Sequence, residues 1–168
     1  MLKFISVNFE FIGGILVAIL DIKKAGDLVL KQQAQPIERI DKTIRTLLDD
    51  MAETMYKANG VGLAAPQVGQ SIQVVVIDVG EGLLELINPT IIRKEGTEID
   101  TEGCLSVPEI YGEVERAAKV SVEYLNRRGK RHHITATGLL ARCLQHEIDH
   151  LHGRLFIDIA NNLHKAQK

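Results

Sequence analysis

Two histidines separated by three residues, in the stretch His146-Glu147-Ile148-Asp149-His150, constrain this chain more than any other feature of its sequence. On a helix each residue advances about 100°, so the two imidazoles lie about 40° apart on one face. The apolar residues of an adjoining face are Leu140, Leu144, Ile148 and Leu151. The pattern predicts a helix that packs with one face and binds a divalent metal with the other, with Glu147 as a general base. The alternative interpretation is an ordinary polar helix face.

A catalytic metal site of this kind has three protein ligands and one open position, so a third ligand is needed. The metzincin pattern has a third His where this chain has Phe156, and no Glu follows Glu147. Both facts disfavour the metzincin and thermolysin-like arrangements, and the third ligand is expected upstream. The upstream candidates are Cys104, His132, His133 and carboxylates such as Glu102. A non-enzymatic, closed site would need a fourth protein ligand, for which His132 is the candidate.

The composition indicates a globular chain, and its small net charge gives no sign of a highly charged binding partner such as a nucleic acid. Of its 168 residues, 45% are hydrophobic and 25% are charged, and the formal net charge is −2. This length suits one domain, residues 1–168, and the charge gives no signal for nucleic-acid binding. The apolar run from Phe11 to Leu20 is too short to span a bilayer and lacks a clear cleavage site after it. We therefore expect a cytoplasmic protein with reduced cysteines and no membrane partner.

Hydrophobic periodicity predicts the α+β class, with helices towards both ends and a strand-rich middle. Apolar residues at three- and four-residue steps predict a long amphipathic helix between Pro36 and Asn59, and Gly60 to Gly69 is expected to lack a regular element. The motif helix is expected to begin at Thr137-Gly138, and the polar tail from Ile159 to Lys168 is expected to fray. Strands are expected at 72–77, 83–87, 90–94, 118–125 and 131–136.

Three segments, in this order, resemble the signature motifs of the peptide deformylase family. They are Gly60-Val61-Gly62-Leu63-Ala64-Ala65-Pro66-Gln67, Glu102-Gly103-Cys104-Leu105-Ser106 and Gln145-His146-Glu147-Ile148-Asp149-His150. The resemblance covers about residues 19–158 and implies short antiparallel strands in small sheets around the central C-terminal helix. Residues 1–16 fall outside it, and one hypothesis is that translation starts near Val17, after an upstream extension.

The resemblance implies a metal-dependent hydrolase that removes the N-formyl group from formylmethionyl nascent peptides and releases formate. It implies that Cys104, His146 and His150 hold the metal. Glu147 would take a proton from the metal-activated water and then protonate the leaving amine.

Further roles concern the substrate. The Gln67 amide can donate a hydrogen bond to a developing oxyanion, and the resemblance implies that the backbone amide of Leu105 joins it. Gly62 is expected to let the substrate backbone pair alongside it. The residues expected to line the methionine pocket are Ile110, Leu139 and Cys143.

Cysteine and histidine ligands suit Zn²⁺ and Fe²⁺ alike. The resemblance implies one divalent metal per chain, with Fe²⁺ as the native ion and Zn²⁺, Ni²⁺ or Co²⁺ as substitutes in preparations. The formylmethionyl peptide is the expected partner, together with the ribosome near its exit tunnel. The open alternative is a metallopeptidase that uses the same helix to cut internal amide bonds.

A pair between Arg142 and Asp149, which lie about 20° apart on the helix, is also expected, either to orient the imidazoles or as a surface ion pair.

Overall fold

A computed structural model describes residues 7–166 and contains two helices, ten strands and three short 3₁₀ segments within that range. The helices are α1 (Lys42–Lys57) and α2 (Gly138–Leu151), and the 3₁₀ segments are Leu28–Lys31, Ala65–Val68 and Phe156–Asp158. The strands are β1 (Asn8–Ile12), β2 (Ile15–Ile19), β3 (Gly62–Ala64), β4 (Val74–Ile77), β5 (Leu84–Glu95), β6 (Glu98–Cys104), β7 (Val107–Arg116), β8 (Lys119–Leu125), β9 (Arg131–Thr137) and β10 (Asn161–Lys165). This architecture has the predicted α+β class. No helix in the described range is long and apolar enough to cross a membrane.

The largest sheet has the strand order β3-β4-β5-β8-β9 and is antiparallel throughout. Strand β4 is buried on both faces because Val75 and Ile77 pack in the cluster that contains α2, while Val74 and Val76 pack in the cluster that contains α1. Burial on both faces accounts for its uninterrupted run of β-branched residues. The sheet therefore lies between the two helices and fixes the position of α2.

A second sheet has the order β10-β7-β6 and is also antiparallel. A separate cluster of buried residues covers it, made of Leu30, Val107, Val114, Leu155 and Phe156. Its strand β6 ends at Cys104. The expected fraying of the tail is wrong for residues 161–165, because they form β10 against β7; residues 167–168 lie outside the described range.

The predicted helix between Pro36 and Asn59 is shorter in the structure, where α1 covers Lys42–Lys57. Asp41 caps its first turn, since the Asp41 carboxylate accepts a hydrogen bond of 3.1 Å from the Ile44 amide. Ile37 and Ile40 fit the helical period but pack on the core from the preceding segment. The end of the helix agrees with the prediction, because Asn59 adopts a left-handed φ of 54°.

The strands expected at 83–87 and 90–94 form one strand, β5. Asn88, with a φ of 51°, lies where the register with β8 shifts, so the strand continues beyond an irregularity instead of ending. The Asn88 side chain forms two hydrogen bonds of 2.8 Å with the backbone of Ile37. Strand β4 is two residues shorter than the expected strand at 72–77, while β8 and β9 agree with the prediction within one residue.

Most of the hairpin β1–β2 precedes residue 19, where the family resemblance begins. Strand β2 packs against α1, where the Ala18 amide donates to the Asp50 carboxylate at 2.8 Å. Glu10, on β1, pairs with Lys57 of α1 at 2.8 Å. The first six residues of the hypothetical upstream extension lie outside the described range. Intact-mass measurement of protein from its native host would test whether residues 1–16 belong to the native protein.

Candidate metal centre

Helix α2 presents the motif side chains to the interior of the protein. Its side chains Cys143, Leu144 and Ile148 pack in the main core cluster, which fixes the rotation of the helix. His146 and His150 are consequently buried, and their ring centroids lie 5.0 Å apart. The helix begins after Thr137, as predicted, and Gly138 has a φ of 60° at its first position.

Cys104 reaches the same place from the end of β6. Its sulfur lies 3.4 Å from His150 Nε2, and the ligand atoms of Cys104, His146 and His150 all lie within 4.8 Å of one another. In a tetrahedral zinc site with bonds of about 2.3 Å to sulfur and about 2.0–2.1 Å to nitrogen, two such ligand atoms lie about 3.6 Å apart. The three side chains therefore fit a divalent metal. Glu147 also faces this region, and within the described chain its buried Oε2 atom has no hydrogen-bond partner.

Glu102 orients one of the two imidazoles. Its Oε2 atom lies 2.8 Å from His146 Nδ1, so that His146 can offer Nε2 to a metal. The carboxylate also accepts two hydrogen bonds from Arg116, of 2.8 and 3.1 Å, and one of 2.9 Å from Arg142. Burial opposes ionisation of Glu102, but the hydrogen bonds with His146 and Arg116 hold its pKa at about 2. The group is therefore a carboxylate at neutral pH.

Sequence reasoning named Glu102 only as one upstream ligand candidate and missed Arg116. The pairing expected between Arg142 and Asp149 is wrong, because Arg142 binds Glu102 whereas Asp149 accepts a hydrogen bond of 2.6 Å from Arg116. One signal could have identified Arg116. Arg116 lies two residues after the inward-facing Val114 on β7, so the two side chains share one face of the strand and a cation is placed on its buried side.

The titratable groups of the centre respond differently to burial. Burial raises the pKa of Glu147 to about 7, against the attraction of His146. Burial lowers the pKa of His150 well below its ordinary value, as does the positive charge on His146. Burial also opposes protonation of His146, but its contacts with Cys104 and Glu102 outweigh that effect and raise its pKa. Burial raises the pKa of Cys143 to about 12, which agrees with a packed thiol.

The expectation that Gly60 to Gly69 lacks a regular element is wrong, because residues 62–64 pair with β4 as β3 and are followed by the 3₁₀ segment that contains Gln67. The Ala64 amide donates to Gln67 Oε1 at 2.9 Å, which fixes the orientation of the side-chain amide. Its Nε2 atom therefore points towards the centre, 3.1 Å from Ser106 Oγ and 3.5 Å from Cys104 Sγ. The arrangement directs N–H donors at the space beside Cys104.

A cavity of about 500 Å³ opens beside the three ligand candidates. The predicted substrate-binding residues that line it are Gly62, Leu105, Ile110, Leu139 and Cys143. Lys24 also lines the cavity, and its amine donates to the Leu105 carbonyl at 3.1 Å. The cavity thus joins residues from both sheets and from α2.

The structure does not bring His132 or His133 to the centre. Both lie on β9, where His132 stacks on Tyr124 with a centroid distance of 5.5 Å and lies 3.0 Å from Asn126 Nδ2. Within residues 7–166, Cys104, His146 and His150 form the one group of metal-ligating side chains. The fourth ligand that a closed structural site would need is therefore not supplied by His132.

Comparisons with known proteins agree with this geometry. The family model for polypeptide deformylase matches residues 19–166. The chain is 62% identical over 143 residues to the peptide deformylase of Desulfitobacterium hafniense, which covers 85% of this chain and 95% of that protein. It is 57% identical over 146 residues to the peptide deformylase of Carboxydothermus hydrogenoformans, covering 87% and 96% of the two chains.

Solved structures lead to the same family. The peptide deformylase of Thermotoga maritima superimposes with a TM-score of 0.84 at 44% identity, over 85% of this chain and 98% of that one. The Synechococcus elongatus peptide deformylase in complex with actinonin gives a TM-score of 0.83 at 49% identity, over 85% and 79%. By sequence and by structure, this chain belongs to the polypeptide deformylase family.

Proposed function

We propose that this chain hydrolyses the formamide bond of N-formylmethionyl peptides and releases formate and a free amino terminus. One observation carries the proposal: three potential metal ligands, an oriented amide donor and a buried carboxylate, one oxygen of which has no hydrogen-bond partner among residues 7–166, face one cavity. Membership of the family makes the chain an enzyme and a hydrolase.

Cys104, His146 and His150 would hold one divalent metal. The metal supplies Lewis acidity, which in comparable sites lowers the pKa of a coordinated water from 15.7 to about 7. We propose Fe²⁺ as the native ion on the family resemblance, since a thiolate and two imidazoles suit Fe²⁺, Zn²⁺, Ni²⁺ and Co²⁺ alike and do not choose among them. Metal analysis of protein purified without oxygen from its native host would test this choice, and a content dominated by zinc would overturn it.

Glu147 is the proposed proton carrier. Its carboxylate is buried beside the ligand candidates and lines the same cavity, which suits a group that accepts a proton from the attacking water and then returns it to the leaving nitrogen. The absence of a side-chain partner for Oε2 within the described chain leaves that atom available for both transfers. The Glu147 carboxylate can occupy its position because residue 62 is a glycine, since a Cβ atom at residue 62 would collide with that carboxylate.

The proposed oxyanion donors are Gln67 Nε2 and the backbone amide of Leu105. The hydrogen bond from Ala64 holds Gln67 in the orientation that presents N–H groups, so little reorganisation is needed when charge develops on the substrate oxygen. The Leu105 segment is fixed by Lys24 and by the hydrogen bond of 2.8 Å from the Ala25 amide to the Ser106 carbonyl. Both donors are thus anchored independently of substrate.

Ile110, Leu139 and Cys143 are proposed to receive the methionine side chain, and β3 is proposed to pair with the peptide backbone at Gly62. The apolar lining supports selection of methionine, because desolvation of a thioether side chain is favourable. A formyl group is the smallest acyl group, so the confined space beside Cys104 is expected to exclude acetylated peptides. The alternative metallopeptidase activity would appear as cleavage of peptides that carry no formyl group.

The deciding experiment measures formate release from a formyl-Met tripeptide by protein purified anaerobically and reloaded with Fe²⁺, Ni²⁺ or Zn²⁺. We expect equal amounts of formate and free amine, with no product from the acetyl-Met tripeptide. An enzyme that binds one metal ion per chain and releases no formate with any metal would refute the proposal.

We propose that the protein works in the cytoplasm, beside the ribosomal exit tunnel, where formylated nascent chains emerge. The free thiols Cys104 and Cys143 suit a reducing compartment. Co-sedimentation of the protein with translating ribosomes at physiological salt tests the association. Recovery of all protein in the supernatant would contradict it.

A further inference from the structure

Arg116 occupies an unusual position behind the metal centre. Its side chain is 6% exposed, and it carries a positive charge at the C-terminal end of β7. Nε and Nη2 donate to the two oxygens of Glu102, while Nη1 donates to Asp149. The guanidinium therefore binds two carboxylates from two different secondary-structure elements, β6 and α2.

The two carboxylates connect Arg116 with all three ligand candidates. Glu102 contacts His146 Nδ1 directly and lies two residues before Cys104 on β6. Asp149 immediately precedes His150 on α2. One planar guanidinium thus fixes the distance between the strand that carries the sulfur ligand and the helix that carries the nitrogen ligands.

Arg142 contacts the same carboxylate but has a different set of partners. Besides Glu102 it donates to the backbone carbonyls of Val114 at 2.9 Å and Glu98 at 3.1 Å. These bonds attach α2 to the strands without reaching Asp149, beside His150. Of the two arginines, only Arg116 contacts a carboxylate beside a ligand candidate on each element, Glu102 on β6 and Asp149 on α2.

We propose that Arg116 is a positioning residue that sets the metal affinity and the ligand geometry of the centre. It acts through Glu102 on His146 and through Asp149 on His150, and it touches neither metal nor substrate. Lysine cannot replace it, because a single ammonium cannot donate in a fork to Glu102 and reach Asp149 at the same time. The inference rests on the metal site of the proposed function.

The test compares Arg116→Lys with a matched control, Arg127→Lys. Arg127 also bridges two carboxylates, at 2.6 Å to Asp49 and 3.4 Å to Glu85, but it lies on the β8–β9 turn away from the centre. Zn²⁺ affinity is measured by chelator competition, and ligand geometry by the visible absorption spectrum of the Co²⁺-loaded protein. Urea unfolding of both variants shows how much stability each substitution costs.

We expect Arg116→Lys to bind Zn²⁺ about 10- to 100-fold more weakly than the parent and to shift the cobalt absorption bands. Arg127→Lys should keep both properties even where it loses as much stability. Asp149→Asn, which retains the Arg116–Glu102 pair, should weaken Zn²⁺ binding in the same direction by a smaller factor. It also serves as the test if Arg116→Lys does not fold.

Zinc affinity of Arg116→Lys within twofold of the parent, or an equal loss in Arg127→Lys, would overturn the inference and leave the proposed function intact. If Arg116→Lys does not fold, an Asp149→Asn affinity equal to that of the parent overturns it. A parent protein that binds no Zn²⁺ and no Co²⁺ would refute the proposed metal site itself. The two failures are therefore distinguishable.

Discussion

Replacing Gly62 with alanine tests whether the exact position of the Glu147 carboxylate matters. A Cβ atom at Gly62 would lie 2.9 Å from both Cγ and Cδ of Glu147. Non-bonded carbon atoms are ordinarily about 3.5–4.0 Å apart, so one partner has to move by about 0.6–1.1 Å. Gly62 is buried and paired with Ile77 in the five-stranded sheet, and the side chain of Glu147 is therefore the part that yields.

A displacement of about 1 Å in a catalytic group costs about 100-fold in rate, which corresponds to about 2.7 kcal/mol in the activation free energy. We expect Gly62→Ala to lower kcat for formate release by about that factor and to leave the metal content at one ion per chain. The assay is steady-state formate release from a formyl-Met tripeptide, together with metal analysis of the same sample.

The matched background for this substitution is Glu147→Ala, which removes the Cγ, Cδ and carboxylate oxygen atoms that the added Cβ would meet, and whose residual rate of formate release serves as the reference. In that background Gly62→Ala should cost much less than in the parent, because the collision has been removed. The reasoning would be refuted by a Gly62→Ala enzyme within threefold of the parent. It would also be refuted if the substitution cost the same factor in both backgrounds.

Three further outcomes are expected. Glu147→Gln preserves the size of the side chain but removes the proton acceptor, so kcat should fall about 100- to 10,000-fold while metal content is unchanged; full activity would contradict the assigned role. Gln67→Glu keeps the acceptor for the Ala64 amide but replaces the donor, and kcat should fall about 100- to 1,000-fold with little change in KM, whereas a change confined to KM would point to ground-state binding. Burial opposes ionisation of Asp158, but hydrogen bonds from the Lys31 amine and a backbone amide lower its pKa. The ionised form is thus favoured in the folded protein, and its stabilising contribution is present above the unfolded pKa and is lost as pH falls through the lower folded pKa. The difference in free energy of unfolding between the parent and Asp158→Asn should therefore shrink between pH 5 and pH 3 in urea titrations, and a constant difference would refute this assignment.

Local sequence patterns were sufficient for the motif helix and for the strands β8 and β9. Periodicity failed at the start of α1, because Ile37 and Ile40 continue the helical spacing by coincidence while Asp41 caps the helix after them. It failed again at Asn88, where a left-handed residue bends a strand without ending it. In each place one residue, Asp41 or Asn88, determines how far the element extends, and the spacing of hydrophobic residues does not detect it.

The environment of the metal centre could be predicted only in part. The three ligand candidates came from motifs, but the contacts of Glu102 with Arg116 depend on the pairing of β6 with β7. The contact of Arg116 with Asp149 depends further on how α2 packs across that sheet. Such contacts follow from tertiary register, and the spacing of residues along one chain does not encode them directly.

The centre lies where the two sheets meet, with Cys104 on the smaller sheet and the histidines on the helix that covers the larger one. A metal ion can therefore bind all three ligands only after these two parts of the chain have docked. Binding to the docked state alone shifts the folding equilibrium by mass action, by about 4 kcal/mol when free metal exceeds its dissociation constant a thousandfold. In a cell, the supply of metal would thus govern both the activity of this protein and the fraction of newly made chains that escape proteolysis.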